Sequence, residues 1–154
     1  MKKALITLTA MIGVMASAQS TASTTLTVKL NPIMGITVNQ PTVNITLDTE
    51  QEYLEGAETL ISDHITTFST VGYKVTAKYL SSDFDPNTIA VKVSGVNGVD
   101  YTRVSLTYVG KTVIDSPLGK GRKFHDVEYT VKRGLWDITS GDYSTVIQYE
   151  IVAR

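Results

Sequence analysis

Apolar and polar side chains alternate along most of this chain. "TVNITLD" at 42–48 sets Val43, Ile45 and Leu47 against Asn44, Thr46 and Asp48, and "YKVTAKYL" at 73–80 sets Tyr73, Val75, Ala77 and Tyr79 against Lys74, Thr76 and Lys78. "TIAVKVSG" at 88–95 carries Ile89, Val91 and Val93 on one side, and "RVSLTYVG" at 103–110 carries Val104, Leu106 and Tyr108. "HDVEYTVKR" at 125–133 repeats the pattern through Val127, Tyr129 and Val131. "YSTVIQYEIV" at 143–152 repeats it through Tyr143, Thr145, Ile147, Tyr149 and Ile151. Successive side chains on a strand point to opposite faces, so each run predicts a strand with one buried face. Thr, Val, Ile and Tyr dominate these runs, as suits a pleated surface. Turn signals separate them at Asp85-Pro86-Asn87, Asn97-Gly98, Ser116-Pro117, Gly119–Gly121 and Ser140-Gly141-Asp142. Many short antiparallel strands at fairly even spacing predict an all-β sandwich or barrel.

Residues 49–70 are less regular. The stretch Glu52–Leu60 contains Gly56 and predicts a loop with one helical turn, after which His64–Ser69 opens the next strand. No internal repeat, low-complexity tract or second domain is present.

The N-terminus adds a compartment. Lys2 and Lys3 precede an apolar run from Ala4 to Val14, followed by Ala16-Ser17-Ala18. This is the pattern of a secretory signal peptide over residues 1–18, with cleavage expected before Gln19. The run is too short to span a bilayer. No Cys follows it, so a lipoprotein anchor is not expected. Removing 18 of the 154 residues leaves 136, enough for one domain with a substantial core. With no Cys anywhere in the chain, stability must come from packing, strand pairing or assembly. Without Lys2 and Lys3, 12 Lys and Arg face 15 Asp and Glu, a formal charge of −3. Nucleic-acid binding, which needs a basic footprint, is not expected.

Catalytic chemistry is not apparent. The chain has no Cys nucleophile, no Gly-x-Ser-x-Gly elbow and no Gly-rich phosphate loop. Asp63-His64 and His125-Asp126 read as polar positions where strands begin. Two isolated His residues make no metal site. The carboxylates of "EYLEGAE" and "SSDFDPN" lack calcium-loop spacing. No enzyme activity, cofactor or metal is expected. "GKGRKFH" at 119–125 is the one basic cluster; it reads as a solvated hairpin loop, with an anionic surface or glycan as the functional counterpart. Trp136 in "RGLWDIT" reads as a core residue near a turn.

The first run of the mature chain stands apart. In "TASTTLTVKLNPIMGITVNQP" at 21–41, Leu26, Val28 and Leu30 alternate with Thr27, Lys29 and Asn31 before Pro32 interrupts. "TLTVKLNPIMGITV" resembles the N-terminal extension of chaperone–usher pilins. It is most similar to the colonisation-factor type: an alternating strand, an acid or amide followed by Pro, then more apolar residues. "SGDYSTVIQYEIVAR" resembles the pilin C-terminal strand, and "DHITTFSTVGYKVTAK" the strand–turn–strand of pilins and spore-coat-U-like domains. Many pilins carry Cys, which this chain lacks; the colonisation-factor type can lack it.

The resemblance implies an immunoglobulin-like antiparallel β-sandwich over residues 32–154 that lacks its last strand, preceded by a donor-strand arm at 19–31. In that family a periplasmic chaperone fills the apolar groove first, at an outer-membrane usher the next subunit's arm replaces it, and a surface fimbria supporting adhesion to a host or surface receptor results. Leu26, Val28 and Leu30 would be the donor residues. Tyr143, Ile147, Tyr149 and Ile151 would border the acceptor groove. Two alternatives remain open from the residues alone: the arm as the first strand of its own complete sandwich, and the chain as a secreted module binding carbohydrate or protein.

Overall fold

The alternation at 73–80 becomes a strand whose inward residues Tyr73, Val75 and Ala77 are 0% exposed. The computed structural model describes residues 23–94, 101–132, 135 and 138–154. The expected signal peptide with its cleavage site, the Asn97-Gly98 turn and Trp136 lie outside the described residues.

Two units divide the chain, Met1–Leu30 and Asn31–Arg154. In the first, residues 23–30 carry no strand or helix, and Leu26, Val28 and Leu30 are 84%, 68% and 88% exposed.

The second unit is built from strands β1 (Met34–Val38), β2 (Gly56–Ser69), β3 (Tyr73–Ser82), β4 (Ile89–Ser94), β5 (Val104–Ser105), β6 (Lys111–Ser116), β7 (Gly121–Lys132) and β8 (Thr145–Ala153). One helix, α1 (Glu50–Glu55), interrupts them. One sheet runs β1-β2-β7-β4-β5 and the other β6-β3-β8, and every pairing is antiparallel. The fold is all-β, as the alternation predicts. Ile65, Val91, Val93 and Val127 of the larger sheet join Tyr73, Val75, Val113 and Ile114 of the smaller in one apolar core.

Several expectations need correction. The helical turn lies at Glu50–Glu55, before Gly56 and not across it. Thr49 caps it: its hydroxyl accepts the Glu52 N–H at 3.3 Å, and the Glu52 carboxylate accepts the Thr49 N–H at 3.0 Å. Gly56 (φ 90°) then turns the chain into β2. β2 runs 14 residues and does not wait for His64. A register shift between Ile61 and Ile65, with Asp63 at φ 50°, makes both His64 and Ile65 face inward. Such a bulge breaks the two-residue period, which hid the first half of the strand. The basic stretch is not a hairpin loop along its length, because Gly121, Arg122, Lys123 and Phe124 belong to β7 and pair with β2. Residues 111–116 form a strand that the alternation missed: Val113 and Ile114 are consecutive and both buried, beside a register irregularity at Val75 and Thr76. The run at 103–110 yields only the two residues of β5.

Residues 42–48 keep their predicted alternation but form no ladder among the described residues. Val43, Ile45 and Leu47 are half-buried against the core, while Asn44, Thr46 and Asp48 are exposed.

Candidate functional site

β8 lies at the edge of the smaller sheet. Its register on β3 pairs Ile147 with Tyr79, Tyr149 with Ala77 and Ile151 with Val75. Among the described residues no strand pairs with its other edge. That edge leaves a row of backbone N–H and C=O groups without ladder partners.

The side chains next to this edge are incompletely covered. On β3 the inward residues Tyr73, Val75, Ala77 and Tyr79 are buried, whereas on β8 the inward residues Ile147, Tyr149 and Ile151 are only half-buried. The contrast is not one of residue type, since both rows are aliphatic and Tyr. It reflects position: among the described residues β3 has neighbours on both sides and β8 on one.

A cleft of about 430 Å³ with a mixed polar and apolar lining opens along the first half of β8. Val38, Val43, Ile45 and Leu47 line it together with Tyr143, Thr145, Ile147 and Tyr149. Ile89, His64, Tyr129 and Val131 complete the apolar and aromatic part of the lining. The volume falls within the range of ordinary ligand clefts, about 300–1,000 Å³. Ser144, one of the lining residues, donates its backbone N–H and hydroxyl to the Asp83 carboxylate at 2.8 and 2.9 Å. Those bonds, the backbone one foremost, hold the Asp83 carboxyl below its ordinary pKa.

A hydrogen-bonded relay crosses the two sheets beside the cleft. The Tyr149 hydroxyl on β8 meets the Tyr129 hydroxyl on β7 at 2.8 Å, and Tyr129 meets His64 Nε2 on β2 at 2.8 Å. A second relay joins His125 Nε2 on β7 to Thr67 on β2 at 3.0 Å, and Thr67 to the Tyr73 hydroxyl on β3 at 2.8 Å. Both His side chains are 2% exposed, and neither Nδ1 has a protein partner. This corrects the sequence expectation that they are polar positions at strand starts. Burial lowers the pKa of His64. Burial, with the Lys123 charge adding to it and Asp126 opposing, lowers His125 to about 4. Burial likewise raises Tyr129 to about 12, and raises Tyr149 well above the ordinary phenol value. All four groups are therefore neutral at pH 7, which a dry core requires.

Of the residues expected at an acceptor edge, Ile147 and Tyr149 lie on β8 and line the cleft. Tyr143 lines it from the loop before β8, its hydroxyl donating to the Thr139 carbonyl at 2.6 Å. Ile151 faces the core farther along β8 and is not part of the cleft. The sequence reading missed His64 and Tyr129 as cleft residues. It read Val43, Ile45 and Leu47 as an ordinary strand and not as cleft lining. Among the described residues no group of three or more His, Cys, Asp or Glu could hold a metal ion. No helix among the described residues is long and apolar enough to cross a membrane. No known family model and no curated protein matches this chain.

Proposed function

We propose that this chain is the structural subunit of a surface fimbria and polymerises head to tail. The apolar arm of one copy, carrying Leu26, Val28 and Leu30, enters the cleft beside β8 of the next. The observation that carries the reading is the edge of β8, unpaired among the described residues, next to inward side chains that are only half-buried. An inserted strand satisfies both deficits at once: its backbone bonds to the free edge, and its alternate side chains fill the cleft.

The strand order supports an immunoglobulin-like reading. Such sandwiches place strands A-B-E-D in one sheet and C-F-G in the other. Here β1-β2-β7-β4 corresponds to the first set, and β3-β8 to the C-F pair. The G position falls beside β8, on the edge that lacks a partner among the described residues. Residues 42–48 border the same position with their alternation intact but no ladder, so a strand seated there has a potential neighbour on each side.

The arm supplies the matching half. Three large apolar residues at every second position, all more than two-thirds exposed, are unusual in a chain that must stay soluble. Donation is a heterologous contact and builds an open fibre. Before assembly the same cleft is the place for a periplasmic chaperone to occupy, with the outer-membrane usher as the site of exchange. The protein is then exported through the periplasm and acts at the cell surface.

The test is electrophoresis of the purified mature protein with and without boiling. Ladders that survive detergent and collapse to one band on boiling are expected. A monodisperse monomer under native conditions would instead favour a secreted binding module with a complete sandwich.

A further inference from the structure

The outward face of the larger sheet carries a second feature, independent of the cleft and of the fibre reading. The register places Gly35, Phe68 and Arg122 in one row across β1, β2 and β7, and Thr37, Thr66 and Phe124 in the next. All six point away from the core, because their neighbours Ile36, Thr67 and His125 point into it. Phe68 and Phe124 are therefore diagonal neighbours, roughly 7–8 Å apart along the backbone. They are 38% and 50% exposed. Gly35 has no side chain, and a Cβ built there would meet nothing within 4 Å, so the space beside Phe68 is open.

Charge is uneven on this face. Lys120 and Arg122 are exposed at one end and make no ion pair among the described residues. Along β7 the outward positions then turn acidic, and of the two acids only Glu128 is paired with a cation. Asp126 accepts the Asp63 backbone N–H at 2.7 Å, and Glu128 pairs with Arg103. Lys123 on the inward face donates to the Ser116 hydroxyl at 3.2 Å. In a chain of net charge −1, two uncompensated cations bordering two exposed aromatic rings form a local site of opposite sign.

We infer that this aromatic–basic face binds an acidic oligosaccharide. The apolar C–H face of a sugar ring fits over an exposed Phe ring, and the Thr37 hydroxyl is within the same row for its hydroxyls. The planar guanidinium of Arg122 matches a carboxylate or sulfate in two-point contact, with Lys120 as a second point charge. Carboxylated and sulfated sugars share this chemistry, and the experiment separates them.

Binding to the full mature protein is measured by calorimetry with three probes: a sulfated heparin-type tetrasaccharide, sialyl-lactose and neutral lactose. At least one anionic probe should bind, roughly tenfold or more tighter than lactose, with affinity falling as salt rises. Arg122→Gln should erase the preference for the anion, Arg122→Lys should retain part of it, and Phe124→Ala should weaken binding without lowering Tm. Anionic probes that bind no better than lactose would overturn the inference. So would binding indifferent to both Arg122→Gln and Phe124→Ala. If these variants change only the sedimentation of the protein, the face is a contact between copies and the inference fails.

Discussion

The hydroxyls of Tyr129 and Tyr149 lie 2.8 Å apart, one on each sheet. Through His64 this contact ties the free-edged β8 to the middle of the larger sheet. In a chain without disulfides it does by hydrogen bonding part of what a cross-sheet bridge would do covalently.

The contact can be tested by a double-mutant cycle. Tyr149→Phe removes one hydroxyl and leaves Tyr129 bonded to His64, at an expected cost of about 1 kcal/mol. Tyr129→Phe strands both Tyr149 and His64 Nε2, so it should cost more, about 1–3 kcal/mol. The double mutant should be less destabilised than the sum, with a coupling of roughly 0.5 kcal/mol or more. Urea midpoints at pH 7 report all three. Strict additivity would mean the relay carries no energy.

The buried His residues set the response to acid. Their folded pKa values are depressed, so between the folded and unfolded values the unfolded chain binds more protons. Stability is then complete above the unfolded His value of about 6.5 and is lost as pH falls toward the folded value. For His125 that window runs from about 6.5 down to about 4. Its contribution is on the order of a few kcal/mol. Urea melts should lose stability steadily from pH 7 to pH 4.5, before most carboxylates titrate. His125→Phe should flatten that slope, whatever it costs at pH 7. An unchanged slope in this variant would exclude His125 as its source.

Side matters more than composition on β8. Ile147→Asp places a charge in the cleft and the core margin, and should cost at least 3 kcal/mol and abolish assembly. Gln148→Asp, one residue away and facing outward, should change stability by less than about 0.5 kcal/mol. Equal effects of the two would show that β8 does not present Ile147 inward.

Alternation recovered β3, β4, most of β7 and β8, because each has one face on the core and a regular register. It failed where the register slips. Asp63 lets His64 and Ile65 both turn inward, so the first half of β2 and the role of His64 were hidden. It overcalled residues 42–48, since alternation reports which side chains are buried and not whether the backbone has a ladder partner. The period put Ile147 and Tyr149 on one inward face; their place beside a groove was only what the resemblance to pilins implied. The contribution of Val43, Ile45 and Leu47 to the same cleft was not legible, because that segment lies about a hundred residues away in sequence.

The unladdered segment offers its own test. Amides of residues 43–47 should exchange rapidly with solvent in the isolated protein, and the outward-facing amides of β8 should do the same. If copies assemble by donation, both sets should slow together on assembly. Protection at β8 alone would mean that 42–48 takes no part in the seam.

The most direct test of strand donation is a thermal melt of the mature protein lacking residues 19–31, with and without a peptide of residues 21–31. Ending the peptide before Met34 keeps it from competing with β1. If the arm serves a neighbour, the shortened protein loses none of its own core and still folds. The peptide should then raise its Tm with concentration, by roughly 2.7 kcal/mol of stability at one hundred times Kd. The same peptide with Val28→Asp should do nothing, and the intact protein should form head-to-tail fibres where the shortened one cannot. A shortened protein that is fully stable and indifferent to the peptide, beside an intact protein that stays monomeric, would contradict donation.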